Sequence, residues 1–151
     1  VTISSTKIRE AIQQGDFSTA NAFLGYRYFF SGTVIEGNKL GRTIGFPTAN
    51  LQVEDDKKLV PANGVYAVEV VVDDRPGSFS GMMNIGIRPT VGGSKKVIEV
   101  NIFSFDEMIY GSRLKVSVAG KLRDEVKFSG LDALKEQLAS DREAAYNLLN
   151  Q

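Results

Sequence analysis

The segment 41-GRTIGFPTAN-50 joins two glycines, an arginine and a proline to a threonine and an asparagine two positions apart. Glycines let backbone N–H groups approach anionic oxygens closely, and Lys39 and Arg42 add positive charge. In an extended chain Thr48 and Asn50 face the same way, so a hydroxyl and an amide oxygen could share Mg²⁺ with phosphate oxygens. The same residues also suit a glycine-rich hairpin in which Thr48 and Asn50 satisfy backbone groups of a turn. A P-loop is excluded. Gly37 and Gly41 have three residues between them, Arg42 stands where lysine belongs, and Pro47 blocks an immediate helix.

A second site of chemistry is Glu99. In 97-VIEVNIFSF-105 the alternation sends Ile98, Val100 and Ile102 to one face and Glu99 and Asn101 to the other, between Val97 and Phe103. A glutamate among apolar neighbours, partly stripped of water, suits a general base; on a half-exposed strand it is simply solvated. Arg88, in 84-NIGIRPT-90, follows a strand end and enters a turn, within reach of ligand or solvent. Tyr110 and Gly111 read as a turn before the next strand. Arg123 and Phe128 lie between the last strand and the C-terminal helix, where a cation and an aromatic either wall a pocket for a flat heteroaromatic ligand or close the core.

The alternation that positions these residues is that of strands. The stretches 29–37, 64–74, 79–86, 96–105 and 114–123 are rich in Val, Ile, Phe and Tyr and are separated by Gly, Pro, Asn and Asp. Short strands without intervening helices predict an antiparallel barrel or sandwich. Helical spacing frames them. Residues 5–15 place Ile8, Ala11 and Ile12 on one face before Gly15, and 16–25 opens on a capping aspartate and ends in glycine. At the far end Ser129 with Asp132 resembles a capping box ahead of Leu131, Leu134 and Leu138, and Ser140 with Glu143 suggests a fresh helix start.

Composition narrows the chemistry further. The chain has 151 residues, 42% hydrophobic and 24% charged, with zero formal net charge. That size fits one domain, and the neutral balance gives no drive towards nucleic acid or an anionic membrane. Cysteine and histidine are both absent. Disulfides, thiolate nucleophiles, Ser-His-Asp relays and Cys/His metal sites are therefore excluded, and any metal site must be built from oxygen. The lack of cysteine fits a reducing cytoplasm.

Taken together, 32-GTVIEGNKLGRTIGFPTANL-51, 64-GVYA-67, 84-NIGIRPT-90, 99-EVNIF-103, 109-IYG-111 and 122-LRDEVKF-128 resemble, in order and spacing, the riboflavin kinase module of bacterial bifunctional riboflavin kinase/FMN adenylyltransferases. The resemblance implies a six-stranded antiparallel Greek-key β-barrel with helices at both chain ends. It further implies transfer of the ATP γ-phosphoryl group to the riboflavin 5′-hydroxyl, giving FMN and ADP. By the same resemblance Thr48 and Asn50 bind Mg²⁺ and the ATP phosphates, and Glu99 is the general base. Gly41, Arg42 and Gly45 belong to the loop over the nucleotide with Tyr110 near it, and Arg123 and Phe128 border the flavin.

The stretch 3-ISSTKIR-9 looks like the ISSTxxR motif of the adenylyltransferase half. Residues 1–22 are thus expected to be the remnant of a covalently linked N-terminal adenylyltransferase domain and linker, and 23–151 the kinase domain. A flavin- or nucleotide-binding module without turnover is the alternative, which would not require Glu99, Thr48 and Asn50 together. An oligonucleotide-binding barrel is disfavoured by the absence of net charge. The hydroxyl–amide pair and the strand carboxylate are expected to converge on a cavity at one end of the barrel.

Overall fold

The computed structural model describes residues 5–38, 45–54, 58–105 and 107–151. Six strands, β1 (Phe29–Asn38), β2 (Thr48–Val53), β3 (Gly64–Val72), β4 (Phe79–Thr90), β5 (Gly93–Ile102) and β6 (Arg113–Arg123), close into an antiparallel barrel in the order β1-β2-β5-β4-β3-β6. Three successive hairpin-connected strands, β3 to β5, are joined by β6 returning beside β3. That is the Greek-key arrangement the family resemblance implies.

Alternation fills the barrel. Tyr66, Val68, Val70, Met83, Ile85, Ile98, Val100, Leu114, Val116 and Val118 point inward into one core. Helices α1 (Ser5–Gln14) and α2 (Phe17–Leu24) add Ala11, Ile12, Phe17 and Ala20 to that core. The Phe17 ring meets Tyr66 edge-on at 5.5 Å. Burial pushes the Tyr66 hydroxyl up to about 12, with Asp124 adding to the shift, so it stays a donor to the Ala62 carbonyl at 2.6 Å. The punctuation read in the sequence holds here. Asp16 accepts from Thr19 N at 3.1 Å, and Gly25 closes α2 with φ 81°.

Helix α3 (Leu131–Leu149) covers part of the barrel's outer face and packs on β3, β4 and β6. A second core forms there from Phe46, Val65, Ala67, Met82, Phe103 and Ala145, with Leu138, Leu148 and Leu149 packed against it. Outside that cover the same face of β3 is wet, at Glu69 and Val71. Gly120 gives the Leu148 side chain room against the wall: a Cβ there would lie 2.7 Å from Leu148 Cδ2.

Several expectations need correction. The helix does not restart at Ser140 but runs unbroken through it, because apolar residues continue the stripe on both sides. Its N-cap is Gly130, without a side-chain cap bond, rather than Ser129. β4 continues to Thr90, so Arg88 sits on a strand paired with Lys95 and not in a turn. β2 was not legible as a strand. No described helix is long and apolar enough to cross a membrane.

Candidate active site

Register brings the expected residues together. On β2 and β5, Asn50 pairs directly with Glu99, and on β5 and β4 Glu99 pairs with Asn84. Paired residues of antiparallel strands share a face, so the three side chains form a row across the outer wall. Thr48 lies two residues from Asn50 on that face. Thr48 and Glu99 line one cavity, while Asn50 pairs with Glu99 beside it without lining that cavity; the cavity lies on the outer wall beside α3, not at the barrel's end. Burial explains why: the outward side of β5 is covered towards its C-terminal end, where Asn101 is 5% exposed and the following Phe103 4%.

That cavity, of about 280 Å³, is lined by Thr48, Asn84, Arg88, Glu99, Arg123 and Phe128, with Leu134 and Leu138 of α3. A smaller one, of about 70 Å³, is mostly apolar and is lined by Val34, Ala49, Val100, Ile109 and Tyr110. Thr48 borders both. Gly45, at φ 86°, borders a wider hollow with Pro47, Glu107 and Met108, which also line the smaller cavity. Gly41 and Arg42 lie outside the described residues.

Glu99 is held in a charged cluster. Its side chain is 13% exposed, and its Oε1 stands 3.6 Å from Arg88 Nη2. The same nitrogen is 3.1 Å from Glu125 Oε2. This ion pair lies across Gly86, where a Cβ would collide with the Glu125 carboxylate and Arg88 Nη1. The glycine of 84-NIGIRPT-90 therefore serves close approach, and the pair ties the segment after β6 to the strand beside Glu99.

Arg123 is locked from the other side. Its Nε donates to Asp141 Oδ1 at 2.9 Å and Oδ2 at 3.0 Å, and its Nη2 donates to Oδ2 at 2.7 Å. Asp141 is 4% exposed and also accepts from Gln137 Nε2 at 2.9 Å. A buried guanidinium–carboxylate fork fixes the plane of Arg123, which stacks 5.6 Å from the Phe128 ring. Local backbone makes this aim possible. Opposite β3 the register skips Leu122, so Arg123 pairs with Val65 and returns to the outward face.

The loop before Thr48 is anchored as well. Asn101 Nδ2 donates to the Pro47 carbonyl at 2.5 Å, and the Arg142 guanidinium stacks on Phe46 at 4.8 Å. Among the described residues three buried side-chain oxygens have no partner: Thr48 Oγ1, Asn50 Oδ1 and Asn84 Oδ1. Buried oxygens without donors are costly, and a ligand or cation that supplies the missing partner relieves the cost. A hydroxyl and amide oxygens are ligand types that an oxygen-preferring cation accepts.

Asn84, Asn101 and Asp141 carry no role in the sequence reading. Asn84 and Asn101 stand in stretches already quoted. Asp141 falls on the apolar stripe of Leu134, Leu138, Ala145 and Leu148, where a charge signals a buried partner.

The model of the family described as Flavokinase, riboflavin kinase, matches residues 24–149. The bifunctional riboflavin kinase/FMN adenylyltransferase of Haemophilus influenzae is 45% identical over 149 residues, covering 98% of this chain and 47% of that protein. The Bacillus subtilis protein of the same description is 43% identical, covering 95% and 45%. The chain thus spans just under half the length of these relatives. Among solved structures, a macrolide-efflux protein from Streptococcus pneumoniae matches with a TM-score of 0.88 at 40% identity, over 97% of this chain and 47% of that one. Riboflavin kinase from Trypanosoma brucei matches with a TM-score of 0.56 at 24% identity over 82% of this chain and 77% of that one, a likeness of fold. With the barrel, the residue row and a family match over most of its length, the chain belongs to the riboflavin kinase family.

Proposed function

We propose that this chain transfers the γ-phosphoryl group of ATP to the 5′-hydroxyl of riboflavin, giving FMN and ADP, with Mg²⁺ as cofactor. The observation that carries the reading is the pair of orphaned oxygens, Thr48 Oγ1 and Asn50 Oδ1, in register beside Glu99 where two cavities meet at Thr48. The apolar cavity beside Tyr110 suits the adenine, and the wider one between the outer wall and α3 suits the flavin, bordered by Arg123 and Phe128. Gly41, Arg42 and Gly45 belong to the loop over the phosphates.

Phosphoryl transfer asks mainly for positioning and charge neutralisation in an in-line geometry. Bound Mg²⁺ would neutralise charge on the phosphate oxygens, with Thr48 and Asn50 as its protein ligands. Glu99 takes the proton of the ribityl 5′-hydroxyl as its oxygen attacks phosphorus. Arg88 orients that carboxylate, and Asn101, through Pro47, sets the height of the loop that presents Thr48. The absence of histidine and cysteine costs this mechanism nothing.

In the same proposal the chain is the C-terminal part of a cytoplasmic bifunctional enzyme. Residues 1–22 would be the end of a covalently linked adenylyltransferase unit, and 23–151 the kinase. The family match beginning at residue 24 supports that boundary. Chromatography of purified protein incubated with riboflavin, ATP and Mg²⁺ tests the activity. FMN and ADP in equal amounts are expected, and unchanged riboflavin at micromolar protein would refute it.

A further inference from the structure

The third orphaned oxygen, Asn84 Oδ1, is not used by the mechanism above. Asn84 pairs with Glu99 across β4 and β5, on the opposite side from Asn50. Cβ atoms of such partners lie roughly 5 Å apart, so Asn84 borders the proposed base on the side away from Asn50. Asn84 lines the wider cavity, together with Arg88, Arg123 and Phe128, with its oxygen buried in the wall. An amide oxygen accepts a hydrogen bond or ligates a cation, and with the proposed cation on the Asn50 side of Glu99 the partner for Asn84 is a donor. The nearby cations are committed elsewhere, Arg88 to Glu99 and Glu125 and Arg123 to Asp141. The donor therefore comes from what fills the cavity.

Building on the kinase reading, we infer that Asn84 is a specificity residue whose Oδ1 accepts a hydrogen bond from a hydroxyl of the acceptor's polyol chain, next to the hydroxyl that Glu99 deprotonates. The row then divides into two halves. Asn50 faces the phosphate side of Glu99, and Asn84 faces the carbon chain that carries the nucleophile. A site built to satisfy a substrate hydroxyl discriminates against analogues lacking it, because its own buried acceptor is otherwise left orphaned.

Titration of flavin fluorescence with wild type and Asn84→Leu tests this, using riboflavin and lumiflavin, which has a methyl group in place of the ribityl chain. Mg²⁺-ADP binding reports folding, and Asn84→Ala replaces the leucine variant if that one is unstable. The expected result is riboflavin affinity lowered roughly 10- to 100-fold, with lumiflavin and nucleotide affinities unchanged. Equal losses for both flavins would make Asn84 a shape residue and overturn the inference. Undiminished riboflavin binding would overturn it too, as when water alone satisfies the oxygen. If wild type binds ADP but neither flavin, the kinase reading fails first and this assignment with it.

Discussion

Asn101 and Pro47 are 54 residues apart in sequence, yet the asparagine amide donates to the proline carbonyl at 2.5 Å. Through that bond the strand carrying Glu99 holds the loop that delivers Thr48. The proposed base and the oxygens proposed for the cation are thus linked by one bond from a side chain to the backbone.

Asn101→Ala leaves the Pro47 carbonyl without its donor, which costs about 1–3 kcal/mol of stability. Because Thr48 then loses its fixed height, kcat is expected to fall on the order of 10-fold or more. Denaturant melts and steady-state kinetics read the two effects. Full kcat in a destabilised variant would make Asn101 purely structural.

Glu99→Gln keeps the shape of the side chain and removes the proposed base. Turnover is expected to drop ~10²-fold or more, with ADP affinity nearly intact. Wild-type turnover in the variant would refute the assignment.

Thr48→Val and Asn50→Leu each remove a buried oxygen that has no protein partner. Each is expected to leave the melting temperature unchanged or raise it, while phosphoryl transfer falls and the Mg²⁺ concentration for half-maximal rate rises. A clear drop in melting temperature would mean that these oxygens already have partners in the free protein.

Asp141→Asn breaks the fork on Arg123 and leaves a partly buried guanidinium without its counter-charge. The expected loss is about 3–5 kcal/mol, with weaker flavin binding because Arg123 no longer keeps its plane against Phe128. Unfolding in urea and flavin titration measure both. Arg123→Met with Asp141→Leu should recover stability but not flavin affinity.

The barrel was legible because inward Val, Ile and Tyr alternate with outward residues along β3, β5 and β6, a pattern fixed by strand geometry. β2 was hidden. Its six residues follow a proline and glycines, and only pairing with β1 and β5 makes 48–53 a strand. Glu99 was readable as a strand carboxylate, but its burial was not, since the carboxylate sits beside Arg88 of β4, which Glu125 after β6 also holds. Asn84 and Asp141 show the same limit. An asparagine beside Met83, or an aspartate within a helix, gains meaning only when register and packing name its neighbours.

A crystal structure with riboflavin, ADP and Mg²⁺ bears most directly on the site. The ribityl 5′-oxygen should lie about 3 Å from the Glu99 carboxylate, with Thr48 Oγ1 and Asn50 Oδ1 on the cation and the isoalloxazine between the barrel wall and α3. A flavin bound elsewhere, or a cation that touches neither Thr48 nor Asn50, would contradict it.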